Sequence, residues 1–260
     1  MKISAIVPTQ AREPYLRRLV TCFSAQTHRD AELLILDDSP APSPYFVEAR
    51  HGDARVRYFY MAPGLSLGEK RNWLIERATG EVIAHLDDDD YYAPAYLETM
   101  LAELEGHDFV KLSGWYCYQV RERFLAYMDS EPDAVDAAKA ALLISTVEPI
   151  VVSPMDATMR EVLANMRWGF GFSYVYRKEA WQAAKFPAMT FKEDIYFLAE
   201  LLKQGCRLKC LRDRRGIVLH ILHTTNTSRL IAQYAPPAFL LDELFGAAIA
   251  PFLQDAVEAS

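Results

Sequence analysis

The sequence predicts an α/β protein built on a mainly parallel central sheet flanked by helices. Three observations carry that expectation. Short, almost wholly apolar runs at Ile3 to Val7, Glu32 to Leu36 and Val82 to Leu86 read as strands buried on both faces. A helical pattern separates the first two, giving the strand, helix, strand order of a right-handed parallel crossover. Polar residues then stand at the carboxyl end of each run: Thr9, the pair Asp37 and Asp38, and the four carboxylates Asp87 to Asp90. Parallel sheets hold their ligands beyond that end, so these residues are expected on one rim.

Composition bounds the class. The chain has 260 residues, 51% of them hydrophobic and 24% charged, which suits a folded globule with a substantial core. A net charge of −7 offers no broad basic surface, so no nucleic-acid partner is expected. No stretch approaches the roughly 20 apolar residues of a membrane span. MKISAIVPTQ lacks the apolar core of a signal peptide and reads as the first strand. Cys22, Cys117, Cys206 and Cys210 are scattered, which suits reduced thiols and a cytoplasmic setting. Cys206 and Cys210 lack the second pair of a metal site and are read as core residues.

Taken in order, the first strand leads to a helix starting near Pro14, with Tyr15, Leu16, Leu19, Val20 and Phe23 on one face. SPAPSP, residues 39–44, forms a rigid loop, and Val56 to Tyr60 a third strand. In GLSLGEKRN, Ser66 and Glu69 have capping-box spacing, so a helix begins there and runs towards Gly80. Lys70 and Arg71 fall in its first turns, where positive charge opposes the helix dipole. Cations so placed are expected to meet an anion, either a diphosphate or the neighbouring aspartates.

Pro94 fits the first turn of a helix carrying Tyr96, Leu97, Met100, Leu101 and Leu104, and Phe109 to Val120 is strand-like. Residues 121–167 read as an insertion or a cover over the site, with a helical alanine-rich run from Ala134 to Leu143. WGFGFSYVY, Trp168 to Tyr176, suits either a flat polar ligand such as a sugar or a tight turn and a strand.

Phe191 to Gly205 is an amphipathic helix with Ile195, Leu198, Leu201 and Leu202 inward. Glu193 and Asp194 in its first turn serve either the helix dipole or catalysis. A further strand from Gly216 to Leu222 leads into His223, Asn226 and Thr227; His220 or His223 either joins aspartates on a metal or is structural. The tail, residues 229–260, repeats Leu241, Leu244, Phe245, Ala248 and Phe252 at helical spacing. It can dock on the body, pair with a second copy as a homodimer, or touch a membrane surface.

The acidic run is the sharpest feature. Four carboxylates at the end of a buried strand repel one another and lose hydration, and a divalent cation offsets both effects. Oxygen donors without a nearby cysteine pair favour Mg²⁺ or Mn²⁺. On an extended backbone alternate aspartates point opposite ways, so only a subset meets one ion unless the chain turns.

With AIVPT, LILDDSP, GEKRN followed by Ala78 to Glu81, and LDDDD in view, the chain resembles the family 2 glycosyltransferases, inverting enzymes of the GT-A fold. The resemblance is close over about the first 115 residues and looser over 168–228. It implies one domain over 1–228, with a Rossmann-like nucleotide-sugar half at 1–115 and an acceptor half at 116–228. It implies that Thr9, Asp37, Asp38, Lys70, Arg71, Asp87 and Asp88 serve the nucleotide, and that Asp89, Asp90 and His223 serve Mn²⁺ or Mg²⁺. Asp194 would be the general base, and Trp168, Gly169 and Glu193 would line the sugar and acceptor. The donor would be a nucleotide-diphosphate sugar, a UDP-sugar foremost, and the acceptor a saccharide, a lipid-linked molecule or a protein, at the inner membrane face if lipid-linked. SPAPSP departs from the family, which often has Gly-Ser and a further acid there. Two rivals are a sugar nucleotidyltransferase, which would ordinarily show a glycine-rich loop where this chain has QAREPY, and a non-catalytic sugar-nucleotide-binding relative.

Overall fold

The computed structural model describes residues 1–48, 52–131, 149–153, 156–223 and 233–253. Its strands are β1 (Ile3–Thr9), β2 (Ala31–Asp37), β3 (Val56–Tyr60), β4 (Val82–His85), β5 (Tyr91–Tyr92), β6 (Phe109–Gln119), β7 (Phe124–Asp129), β8 (Ile150–Val151), β9 (Val175–Arg177), β10 (Leu208–Arg212), β11 (Val218–Leu222) and β12 (Tyr234–Ala235). Its helices are α1 (Glu13–Ser24), α2 (Pro44–Val47), α3 (Leu67–Arg77), α4 (Tyr96–Glu103), α5 (Ala157–Met166), α6 (Lys178–Ala183), α7 (Glu193–Lys203) and α8 (Phe239–Phe245). Two compact units result. The first comprises Met1–Asp88, Pro94–Lys111 and Trp168–Cys210; the second comprises the described residues of Asp89–Ala93, Leu112–Arg167 and Leu211–Ser260. Among the described residues no helix is long and apolar enough to cross a membrane.

In the first unit the strands run β3-β2-β1-β4-β9. The first four are parallel and β9 is antiparallel to β4. Pairing of Thr9 with Asp37 brings the polar ends of β1 and β2 side by side. Ile6, Leu34, Leu36 and Ile83 of these strands pack with Leu74 and Ile75 of α3 and Phe197, Leu198 and Leu201 of α7. Each such side chain contributes roughly 1.5–3 kcal/mol by leaving water.

Helix α3 starts as its sequence dictates, since Ser66 and Glu69 exchange side-chain and backbone bonds in a complete capping box. Its far side is clamped by Asn72, which donates to the Phe186 carbonyl at 2.8 Å and accepts from Trp181 Nε1 at 2.9 Å. Gly68 must lack a side chain there, because a Cβ would collide with the Pro187 carbonyl. On α7 the buried face centres on Phe197, stacked on Phe186 at 3.8 Å, while Ile195 and Leu202 are only half-buried. That aromatic stack turns the expected inward face.

Pro94 lies in the turn before α4 and outside its first turn, with its carbonyl taken by the Thr27 N–H at 2.8 Å. Cys206 is half-buried, and Cys210 is exposed and thus no core residue.

In the second unit β6 pairs with β7 antiparallel and with β11 parallel, and β11 pairs with β5. Part of the expected insertion is therefore sheet: Phe124–Asp129 is a largely buried strand. Its hairpin is hard to read in sequence because Arg123 takes the left-handed conformation, φ 55°, in place of glycine or asparagine. The run from Ala134 to Leu143 lies outside the described residues. In the tail, Leu240, Phe245, Ile249 and Phe252 are buried. Phe245 and Phe252 meet the Tyr91 ring edge-on at 6.0 and 5.3 Å. Leu241 and Leu244 are half-buried and Ala248 is exposed, so the inward stripe is offset from the one expected.

Candidate active site

At the carboxyl ends of β1 and β2 the first unit gathers buried charge. Thr9 Oγ1 donates to Asp88 Oδ2 at 2.6 Å, and Arg12 Nη1 reaches Asp88 Oδ1 at 3.1 Å. Lys70 pairs with Asp38 and also points at the Thr9 carbonyl, 3.4 Å away. Asp37 is held differently: Oδ1 accepts from the backbone and hydroxyl of Ser39, and Oδ2 accepts from Tyr58 OH at 2.6 Å. Asp38 Oδ2, buried, has no hydrogen-bond partner among the described residues.

Arg71 is buried and pairs with Glu193 at the start of α7. Burial works against its charge, but Glu193, Asp194 and Asp87 together hold its pKa above the ordinary arginine value. Burial likewise pushes the Glu193 carboxyl up, opposed by Arg71. The next residue, Asp194, accepts from the Gly171 N–H at 3.0 Å through Oδ2 and from the Ile195 N–H at 2.7 Å through Oδ1. Both contacting segments are entered through left-handed residues: Phe170, φ 66°, precedes Gly171, and Lys192, φ 66°, precedes Glu193. Non-glycine residues rarely adopt this conformation, and such positions cluster at functional sites. Trp168 is half-buried, with its carbonyl taken by Tyr174 OH, and Gly169 is buried. Nearby His85 shares a 3.0 Å bond with Tyr176 OH, and burial, helped by Arg71, keeps its pKa well below the ordinary value, hence neutral.

The acidic run turns rather than extends. Within these four residues Asp87, Asp89 and Asp90 each offer an oxygen, all within 4.8 Å of one another, while Asp88 serves Thr9 and Arg12. Three converging hard oxygen donors fit Mg²⁺ or Mn²⁺. In the second unit β11 and the residue after it supply two imidazoles, His220 and His223. His220 Nδ1 lies 2.7 Å from Asp90 Oδ2, and the Ile221 N–H donates to Asp90 Oδ1 at 2.9 Å. His223 Nε2 lies 2.9 Å from Asp89 Oδ2. Burial pushes the Asp90 carboxyl up, and His220 opposes that shift. Asn226 and Thr227 fall outside the described residues.

Sequence reasoning singled out Thr9, Asp38, Lys70, Arg71, the acidic run, Asp194 and His223. It missed Arg12 on Asp88, Ser39 and Tyr58 on Asp37, and Gly171 under Asp194. It also left His220 undecided, although HILH places two imidazoles three residues apart at a strand end.

Comparison with known proteins adds a family. The sequence model of glycosyl transferase family 2 matches residues 4–167. An uncharacterized glycosyltransferase of Bacillus subtilis (strain 168), YwdF, is 32% identical over 110 residues, 42% of this chain and 41% of that one. The GalNAc(5)-diNAcBac-PP-undecaprenol beta-1,3-glucosyltransferase of Campylobacter jejuni is 31% identical over 117 residues, 42% of this chain and 37% of that one. This chain thus spans about two fifths of the length of these relatives. S. aureus TarS 1-349, solved in complex with UDP-GlcNAc, superposes with a TM-score of 0.61 at 18% identity, covering 88% of this chain and 62% of that one. The likeness is one of fold, the GT-A α/β arrangement.

Proposed function

Because the chain belongs to glycosyl transferase family 2, we propose that it moves a sugar from a nucleotide-diphosphate sugar to an acceptor hydroxyl, with inversion at the anomeric carbon. The observation that carries this reading is the convergence of Asp87, Asp89 and Asp90 oxygens within 4.8 Å. These carboxylates would hold Mn²⁺ or Mg²⁺, which when bound would neutralise charge on a departing diphosphate.

The nucleoside falls to the rim of β1 and β2. Asp38 is the better candidate for a contact with it, since both Asp37 oxygens are engaged by Ser39 and Tyr58. Thr9 and Asp88 support that contact, with Lys70 setting the Asp38 carboxylate. UDP is the favoured carrier, because a structure of the same fold was solved with UDP-GlcNAc.

Asp194 is the proposed general base. It takes the proton of the acceptor hydroxyl as that oxygen attacks the anomeric carbon from the face opposite the diphosphate. Its two protein contacts are N–H donors, which orient the carboxylate. Trp168 and Gly169, in the same loop as Gly171, are proposed to line the sugar and acceptor. The acceptor class, saccharide, lipid-linked or protein, belongs to the same proposal, as do work at a membrane face and pairing into a dimer. The domain limits 1–228 and 229–260 belong to it as well.

Hydrolysis provides the test, with water as the acceptor. UDP-N-acetylglucosamine carries an α-linked sugar, so proton NMR of fresh product should show the β anomer before mutarotation. An initial α anomer would refute the single displacement.

A further inference from the structure

The inference rests on the reading of Asp194 as the base. We propose that the buried Arg71–Glu193 ion pair is a positioning device: it fixes the first turn of α7 so that the Asp194 carboxylate stays seated on the Gly171 N–H. Arg71 is 4% exposed and Glu193 3%, and the two side chains are ion-paired. A buried pair adds little net stability over apolar groups of the same volume, so its use lies in where it places charge and backbone.

Three further observations agree. A Cβ built on Gly171 would lie 3.2 Å from Asp194 Oδ2 and 3.3 Å from Arg71 Nη2, so the amide, the carboxylate and the guanidinium meet at one point. Arg71 itself stands on α3, whose start is fixed by the capping box and whose side is fixed by Asn72. The left-handed Lys192 lets α7 begin at Glu193, so one ion pair at that residue sets the direction of the next side chain. Glu193 is thereby reassigned from lining the acceptor to holding the base.

Glu193→Gln keeps the shape and removes the charge. Arg71 then turns towards Asp194, the next carboxylate, and draws it off Gly171. Amide hydrogen exchange at Gly171, read by NMR, should accelerate about tenfold or more, while Ile6 and Leu34 keep their rates. Turnover of UDP-N-acetylglucosamine with water should fall about tenfold with KM within about twofold. Arg71→Lys, which lacks the planar fork, should give the same exchange result and serves if Glu193→Gln does not fold. Gly171 exchange within about twofold of wild type in the folded variant overturns the positioning role. Asp194→Asn separates the two readings: lost turnover with UDP affinity kept upholds the base, whereas full turnover removes it and leaves Gly171 exchange to decide the pair's role.

Discussion

Replacing His220 with alanine should expose how the acidic run is held. Asp90 is fully buried, and its two oxygens rest on His220 Nδ1 at 2.7 Å and the Ile221 N–H at 2.9 Å. His220→Ala leaves a buried carboxylate on a single amide. Leaving a buried acceptor short of a partner costs about 1–3 kcal/mol, more when it is charged, which places this case near about 3 kcal/mol. For a chain of this size the melting temperature should fall by roughly 6–12 °C. The loss should depend on pH. Without His220 the folded-state pKa of Asp90, already pushed up by burial, rises further above its unfolded value. The native state then takes up a proton as pH falls, so the variant's deficit should be larger at pH 8 than at pH 5. Differential scanning calorimetry at both values is the assay. His220→Gln, whose amide can donate to Asp90, should recover at least about half of the loss. A His220→Ala protein melting within roughly 2 °C of wild type at pH 8 would refute the reasoning.

Two further outcomes are expected. Gly171→Ala places its Cβ 3.2 Å from Asp194 Oδ2, so the carboxylate must shift by a few tenths of an ångström; turnover should fall about tenfold with little change in melting, and an unchanged kcat would contradict the seating of the base. Glu32 accepts from Ser4, Thr79 and Arg57, and although burial opposes ionisation these bonds hold its pKa down at about 2 from an ordinary 4.5. A folded pKa below the unfolded one stabilises above the unfolded value and is lost as pH falls towards the folded one. Glu32→Gln should therefore cost roughly 3 kcal/mol at pH 7 in urea unfolding, with the gap narrowing by roughly 1 kcal/mol at pH 3.5; a gap independent of pH would show that the charge does not matter.

Much of the fold was legible because its signals are local. The apolar runs gave β1, β2 and β4 their places, and Ser66 with Glu69 announced the start of α3 from four consecutive positions. The rim of Thr9, Asp38 and Asp88 followed from the rule that parallel strands end together. Partner choice was not legible. Arg71 and Glu193 are 122 positions apart, and nothing in either neighbourhood marks them as a pair. Asp37 and Asp38 are adjacent and chemically identical; only the fold decides that Ser39 and Tyr58 claim one and Lys70 the other. The β6–β7 hairpin was hidden because Arg123 occupies a left-handed position that sequence rules assign to glycine or asparagine.

The most direct test of the central claim is thermal unfolding of the protein with UDP, with and without Mn²⁺, alongside GDP, CDP and dTDP. At about 100 times its dissociation constant a ligand adds about 2.7 kcal/mol to stability, which should raise the melting temperature by roughly 5–10 °C. UDP stabilising the protein only when Mn²⁺ is present is the predicted result. No stabilisation by any nucleotide, with or without metal, would contradict a diphosphate-and-cation site at Asp87, Asp89 and Asp90.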